Sequence, residues 1–164
     1  MGAVWIASLV AVAAIAAAAT YGLVSIAPVA VSEGAEQIAA LEPDSTRTVP
    51  AGWFGAGASS ATYTFYGLTL FETTTGMNGG GSDCFAVVLS SDLPAEDENV
   101  QNGYSLSGPV YSACRVGSFP ASITLGVDSA SPPELRTQFP DAALKFIKDG
   151  NRIGVFLGSL AGAE

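Results

Sequence analysis

The stretch TTTGMNGGGSDCFAVVL, Thr73–Leu89, decides how this chain folds. Gly76, Gly79, Gly80 and Gly81 stand close together, just ahead of the hydrophobic run CFAVVL. Such a cluster either cradles a phosphate or reverses the chain. A phosphate loop follows a strand and opens a helix whose first amides hold the anion. Here the glycines lead into a second strand-like run, no Lys-Ser or Lys-Thr closes them, and neither Gly76 nor Gly79 begins a G-x-G-x-x-G. Glycine admits positive φ without a steric penalty. The stretch therefore reads as strand, turn, strand.

Working outward, ATYTFYGLTLFETT (61–74) supplies the preceding strand, rich in β-branched and aromatic residues, with a bulge expected where alternation breaks near Gly67. In CFAVVL, Phe85, Val87 and Leu89 share one face. Farther on, SITLGVD (122–128) alternates Ile123, Leu125 and Val127 as a half-buried strand. In SPPELRTQFP (131–140), Ser131 is the expected helix cap, Pro132 the first-turn residue, Glu134 the capping-box partner and Pro140 the stop. LKFIKDGNRIGVFL (144–157) is a hairpin signal, two apolar runs around DGN. Ala35, Ile38, Ala39 and Leu41 predict a short amphipathic helix over 32–41. These elements predict an α+β class: a small, mostly antiparallel sheet of about five strands with one or two short helices.

The opening of the chain has a different character. Gly2–Val31 contains no charged side chain. About 20 apolar residues span a bilayer as a helix, whereas a secretory apolar core needs only about 7–15. A retained transmembrane helix over 1–31 is expected. Trp5 and Tyr21 would then lie roughly 24 Å apart along it, at 1.5 Å per residue, one at each membrane interface. Pro28 marks its end. Ala14, Ala18 and Gly22 form a small-xxx-small row suited to close packing against another helix. No Lys or Arg precedes the run, and the step after Ala19 is the alternative cleavage point of a signal peptide. On the carboxyl side Glu33, Glu36, Glu42 and Asp44 come before the first basic residue, Arg47. Cytoplasmic flanks favour Lys and Arg, so the rest of the chain is expected outside. The implied organisation is an anchor over 1–31, a juxtamembrane helix and Gly/Pro/Ser-rich linker over 32–60, and an extracytoplasmic domain over 61–164. Trp53 and Phe54, between glycines in that linker, are candidate partner contacts, with docking onto the domain as the alternative.

Composition limits the chemistry. The chain of 164 residues is 49% hydrophobic and 13% charged, with a formal charge of −9 and no histidine. Nucleic acid is a poor partner for so acidic a chain. His-dependent nucleophilic catalysis and His-ligated metals are excluded, and two cysteines cannot supply a four-thiolate zinc site. The isolated pair Cys84 and Cys114 instead predicts a structural disulfide outside the cytoplasm. The acidic run DLPAEDEN (92–99) lacks EF-hand spacing and reads as a solvated loop. Arg136, Lys145, Lys148 and Arg152 read as the solvated surface of the last helix and hairpin. No serine elbow or Ser-x-x-Lys pair is present, so no catalytic residue, metal or cofactor is assigned.

SDCFAVVL (82–89), SACRVGSF (112–119) and KDGNRIGVF (148–156) together resemble short envelope proteins of high-GC Gram-positive bacteria with one membrane helix and a disulfide-bearing domain. The resemblance covers roughly 43–157 and implies a single-pass location in the cell membrane, without any catalytic residue. The expected function is a non-enzymatic accessory or interaction subunit whose partners are membrane lipid and a larger membrane protein. A pilin-like subunit polymerising through its first helix, or a secreted ligand-binding domain, are the alternatives.

Overall fold

The computed structural model describes residues 35–74, 83–95 and 106–160. The expected anchor, with Trp5, Tyr21, Ala14, Ala18 and Gly22, lies outside them, as do the four glycines of the opening stretch. No helix among the described residues is long and apolar enough to cross a membrane.

Among the described residues, eight strands form two four-stranded antiparallel sheets. One sheet has the order β1 (Glu36–Leu41), β8 (Arg152–Ser159), β7 (Ala142–Asp149), β6 (Ser122–Gly126). The other has the order β2 (Thr62–Phe65), β3 (Leu68–Thr73), β4 (Cys84–Leu89), β5 (Tyr111–Cys114). The two sheets face one another across one core. Tyr63, Phe65, Leu68, Leu70, Phe85 and Val87 meet Ile123, Leu125, Leu144, Phe146, Ile153 and Val155. Period-two alternation aims each set inward. The only α-helix among the described residues is α1, Pro133–Gln138, whose Leu135 closes one end of that core.

The mostly antiparallel character stands as expected, and β3 and β4 pair across the glycine stretch with Thr73 opposite Cys84. Three local readings change. The helix expected over 32–41 is strand β1. Its apolar spacing mimics a helix because the register slips between Gln37 and Ala39, where a bulge breaks the alternation. Pairing with β8 overrides the helical preference of EQIAAL. Residues 61–74 form two strands rather than one bulged strand. Phe65 pairs with Leu68, and Tyr66 and Gly67 both take positive φ (41° and 78°), the pattern of a type I′ hairpin. Glycine is expected at such a position, tyrosine is not, so the turn is hidden in sequence. Lastly, α1 is capped differently. Pro133 takes the first turn, Pro132 precedes it without a side-chain cap, and the Ser131 hydroxyl turns back to Asp128.

The span 42–61 is not a free linker. Trp53 is 3% exposed and packs with Val49 and Ala56 on the outer face of the second sheet, over Phe71, Ala86 and Val88. CFAVVL is thus covered on both faces, and this explains its unbroken hydrophobicity.

Candidate functional site

Polar chemistry among the described residues concentrates at one end of the sandwich, where the tight β7–β8 turn meets the ends of β3 and β4. Asp149 pairs with Arg152, and Gly150 begins the two-residue turn at φ 60°. Lys148 occupies an inward position of β7, in phase with Leu144 and Phe146, so its stem enters the gap between the sheets. Its side chain is 7% exposed. The ammonium donates to Asp83 Oδ1 at 2.8 Å and to the Gly150 carbonyl at 2.8 Å, and lies 3.2 Å from Glu72 Oε1. An ammonium has three donors, and all three are engaged.

Two further groups complete the cluster. The Tyr63 hydroxyl lies 3.4 Å from Glu72 Oε1 and 3.1 Å from the Asn151 carbonyl. Arg115 Nε lies 2.8 Å from Asp83 Oδ2. Burial alone pulls the Lys148 ammonium down, but its hydrogen bonds to Asp83 and Glu72 and their negative charge outweigh it and hold it above the ordinary lysine value. Burial, followed by the Glu72 charge, pushes the Tyr63 phenol well above its usual range. Lysine held charged is neither nucleophile nor base. Tyrosine held neutral is no base either. The cluster is a clamp joining the two sheets, and its members are spent on one another.

The disulfide lies beside this clamp. Cys84 and Cys114 are directly opposed on β4 and β5 and joined, as the sequence predicts. Asp83 and Arg115, which flank the two cysteines in sequence, form the ion pair above. The four basic residues grouped in the sequence do not stay together: Lys148 is buried in the clamp, and Arg136 belongs to α1, outside it. Asp92, the first residue of the acidic run, is also buried. It accepts from the Ser107 hydroxyl and from the Gly108 amide at 2.8 Å, and so fastens a loop. The rest of that run, from Glu96, lies outside the described residues. Of the two candidate partner contacts, Trp53 is docked against Phe71, with ring centroids 5.4 Å apart, and Phe54 meets it edge-on at 4.9 Å.

No group of three or more metal-ligating side chains occurs among the described residues. Sequence reading misses Tyr63, Glu72, Asp83, Arg115 and Lys148 as a set. The one available signal is Lys148 at an inward position of an otherwise apolar strand, which calls for a buried partner.

Fold and site together define a disulfide-closed β-sandwich module with a polar clamp at one end. Compared with protein-family models, curated proteins and solved structures, the chain matches none of them.

Proposed function

We propose that this chain is a non-enzymatic, membrane-anchored extracytoplasmic module, acting as an accessory or interaction subunit of a larger membrane assembly. The observation that carries the reading is the Cys84–Cys114 bond, in a sandwich whose first strand begins at Glu36, shortly after the uncharged segment Gly2–Val31. Disulfides persist in oxidising compartments, and an uncharged run of that length suits the bilayer. The clamp supports the non-enzymatic part, because its ionised groups neutralise each other.

The test is fractionation of intact cells, followed by isolation in mild detergent. The expected result is a chain that resists alkaline extraction from membranes, is cut by protease added outside the cell, shows no free thiol and co-purifies with a membrane protein in fixed ratio. Recovery from the cytosol as a water-soluble chain with two free thiols would overturn the proposal. A mature chain beginning after Ala19 would favour the secreted alternative.

A further inference from the structure

The two sulfurs of the Cys84–Cys114 bond meet different surroundings. The order β3-β4-β5 puts Cys84 on an inner strand and Cys114 on the last strand of that sheet among the described residues. Cys84 is 1% exposed, whereas Cys114 is exposed. Thr73 of β3 stands directly opposite Cys84 on one side, as Cys114 does on the other. Directly opposed residues project from the same face, with Cβ atoms about 5 Å apart. Thr73, Cys84 and Cys114 therefore form a row across the sheet that ends at its open edge. Thr73 is 2% exposed, and its hydroxyl has no hydrogen-bond partner among the described residues. Leaving a buried donor unmade is costly. Neutral sulfur is a weak acceptor, but a thiolate carries a full charge and accepts strongly. A thiolate on Cys84 would supply what this hydroxyl lacks.

This asymmetry selects which sulfur can be attacked. In thiol–disulfide exchange a thiolate attacks one sulfur and the other leaves. The attacker approaches in line with the S–S bond, from behind the sulfur it strikes. Behind Cys84 stands Thr73, and behind Cys114 lies the sheet edge. The cavity that Cys84 and Thr73 share with Glu72, Asp83 and Lys148 does not reverse this choice. It leaves Cys84 almost wholly buried, and its two carboxylates repel an incoming thiolate. The backbone around Cys114 also keeps the sulfurs in register once the bond opens. The Arg115 amide donates to the Asp83 carbonyl at 3.1 Å, and Arg115 Nε lies 2.8 Å from Asp83 Oδ2. The chain then reverses in the Val116–Phe119 turn. There the Val116 amide donates to the Phe119 carbonyl at 3.1 Å, and the Phe119 amide donates back at 3.0 Å. Past the turn, the Ala121 carbonyl accepts from the Lys148 amide at 3.0 Å. Opening the bond does not by itself release β5, so the same two sulfurs can rejoin.

We infer that the Cys84–Cys114 bond is a thiol-exchange site, opened by an aliphatic thiolate at Cys114 and closed again by Cys84. The incoming sulfur bonds to Cys114 Sγ, the S–S bond breaks, and its electron pair leaves on Cys84 Sγ, to which the Thr73 hydroxyl donates. The incoming thiol is oxidised to a mixed disulfide as Cys84 is reduced, so no other oxidant or reductant takes part. The site stands apart from the subunit reading and serves an anchored or a secreted chain alike.

The test uses the full chain in mild detergent, with reduced glutathione as the probe. Samples are quenched in acid, unfolded, alkylated and mapped by mass spectrometry. Expected is glutathione on residue 114 with Cys84 alkylated. The opening rate should rise in proportion to glutathione thiolate and stay flat in urea below the unfolding transition. Thr73→Val should slow opening about tenfold, the worth of one hydrogen bond to a charged group. It should not lower the unfolding midpoint, because the hydroxyl it removes is unpaired, and Thr73→Ser should keep the parental rate. A threonine with only a structural role would move the midpoint and leave the rate alone. Glutathione on residue 84 or on both residues equally would overturn the inference, as would no adduct. So would a rate that climbs with urea as unfolding does, or an unaltered rate in Thr73→Val. In Cys84→Ser, expressed in its native membrane, nothing recloses the Cys114 adduct, and the adduct reveals the natural thiol. A low-mass adduct marks a small thiol, a heteromeric adduct dissolved by reductant marks a protein cysteine, and an uncapped Cys114 would overturn the site.

Discussion

Replacing Lys148 by methionine tests whether the clamp holds the sheets together. Methionine keeps most of the buried stem and removes only the ammonium. Three contacts vanish: Asp83 at 2.8 Å, Glu72 at 3.2 Å and the Gly150 carbonyl at 2.8 Å. Asp83 keeps Arg115 at 2.8 Å, while Glu72 keeps only the Tyr63 hydroxyl at 3.4 Å. Breaking a fully buried ion pair from one side costs about 3–5 kcal/mol. The two carboxylate side chains here are 32% and 27% exposed, so water recovers part of that loss. The expected destabilisation is about 2–3 kcal/mol. Chemical unfolding followed by Trp53 fluorescence, with Trp5 replaced by phenylalanine, measures it. Glu72→Gln alone should cost about 1 kcal/mol, because Lys148 keeps Asp83 and Gly150. In the double variant the second change should cost less than it does alone, since the same contact is already gone. If Lys148→Met is within 0.5 kcal/mol of the parent, the threshold for an ordinary surface change, the clamp does not contribute to holding the sheets and the reasoning fails.

Other outcomes follow from the same geometry. Lys148 and Tyr63 both have folded values raised above the ordinary 10.5 and 10.0, so the stability they contribute is complete below about pH 10 and lost as pH rises through the folded values. With no histidine, the stability curve should show no histidine step between pH 5 and 8, then fall on the alkaline side, as a pH series of unfolding midpoints would show. The Cys84→Ser, Cys114→Ser double variant should lose about 3–4 kcal/mol, the closure entropy of a loop with sequence separation 30, in the same unfolding assay. Gly67→Ala should cost more than 1 kcal/mol, because φ there is +78° and the new Cβ would meet Pro132 Cβ at 2.6 Å; an unchanged midpoint would contradict this packing of α1 on the hairpin.

What the sequence reveals and what it hides divide along one physical line. Apolar runs and alternation are local, so CFAVVL, SITLGV and the Leu144–Leu157 hairpin are legible, and so is a disulfide between the only two cysteines. Features that depend on a distant partner are not. EQIAAL carries a helical pattern and becomes a strand because β8 is beside it. Tyr66 takes a left-handed conformation that favours glycine, held by edge contacts of its ring with Phe65 and Phe139. Trp53 looks available between two glycines until the outer face of β3 and β4 receives it.

The clamp is the extreme case of this division. Lys148 reaches Asp83 across 65 positions and Tyr63 reaches Asn151 across 88, so no window of local sequence contains both members of either pair. One constraint was nonetheless present in the sequence. A lysine in phase with Leu144 and Phe146 must either break the strand's inward face or find a carboxylate across the gap. The second outcome places a rigid polar joint beside the disulfide, and that joint fixes the base of the Val116–Phe119 turn. Loosening the joint should therefore free the turn. In Lys148→Met the amide protons of Val116 and Phe119 should exchange with solvent faster than in the parent, while those in the centre of β8 change less. Equal acceleration throughout would mean that the variant weakens the whole fold and that clamp and turn are not mechanically linked.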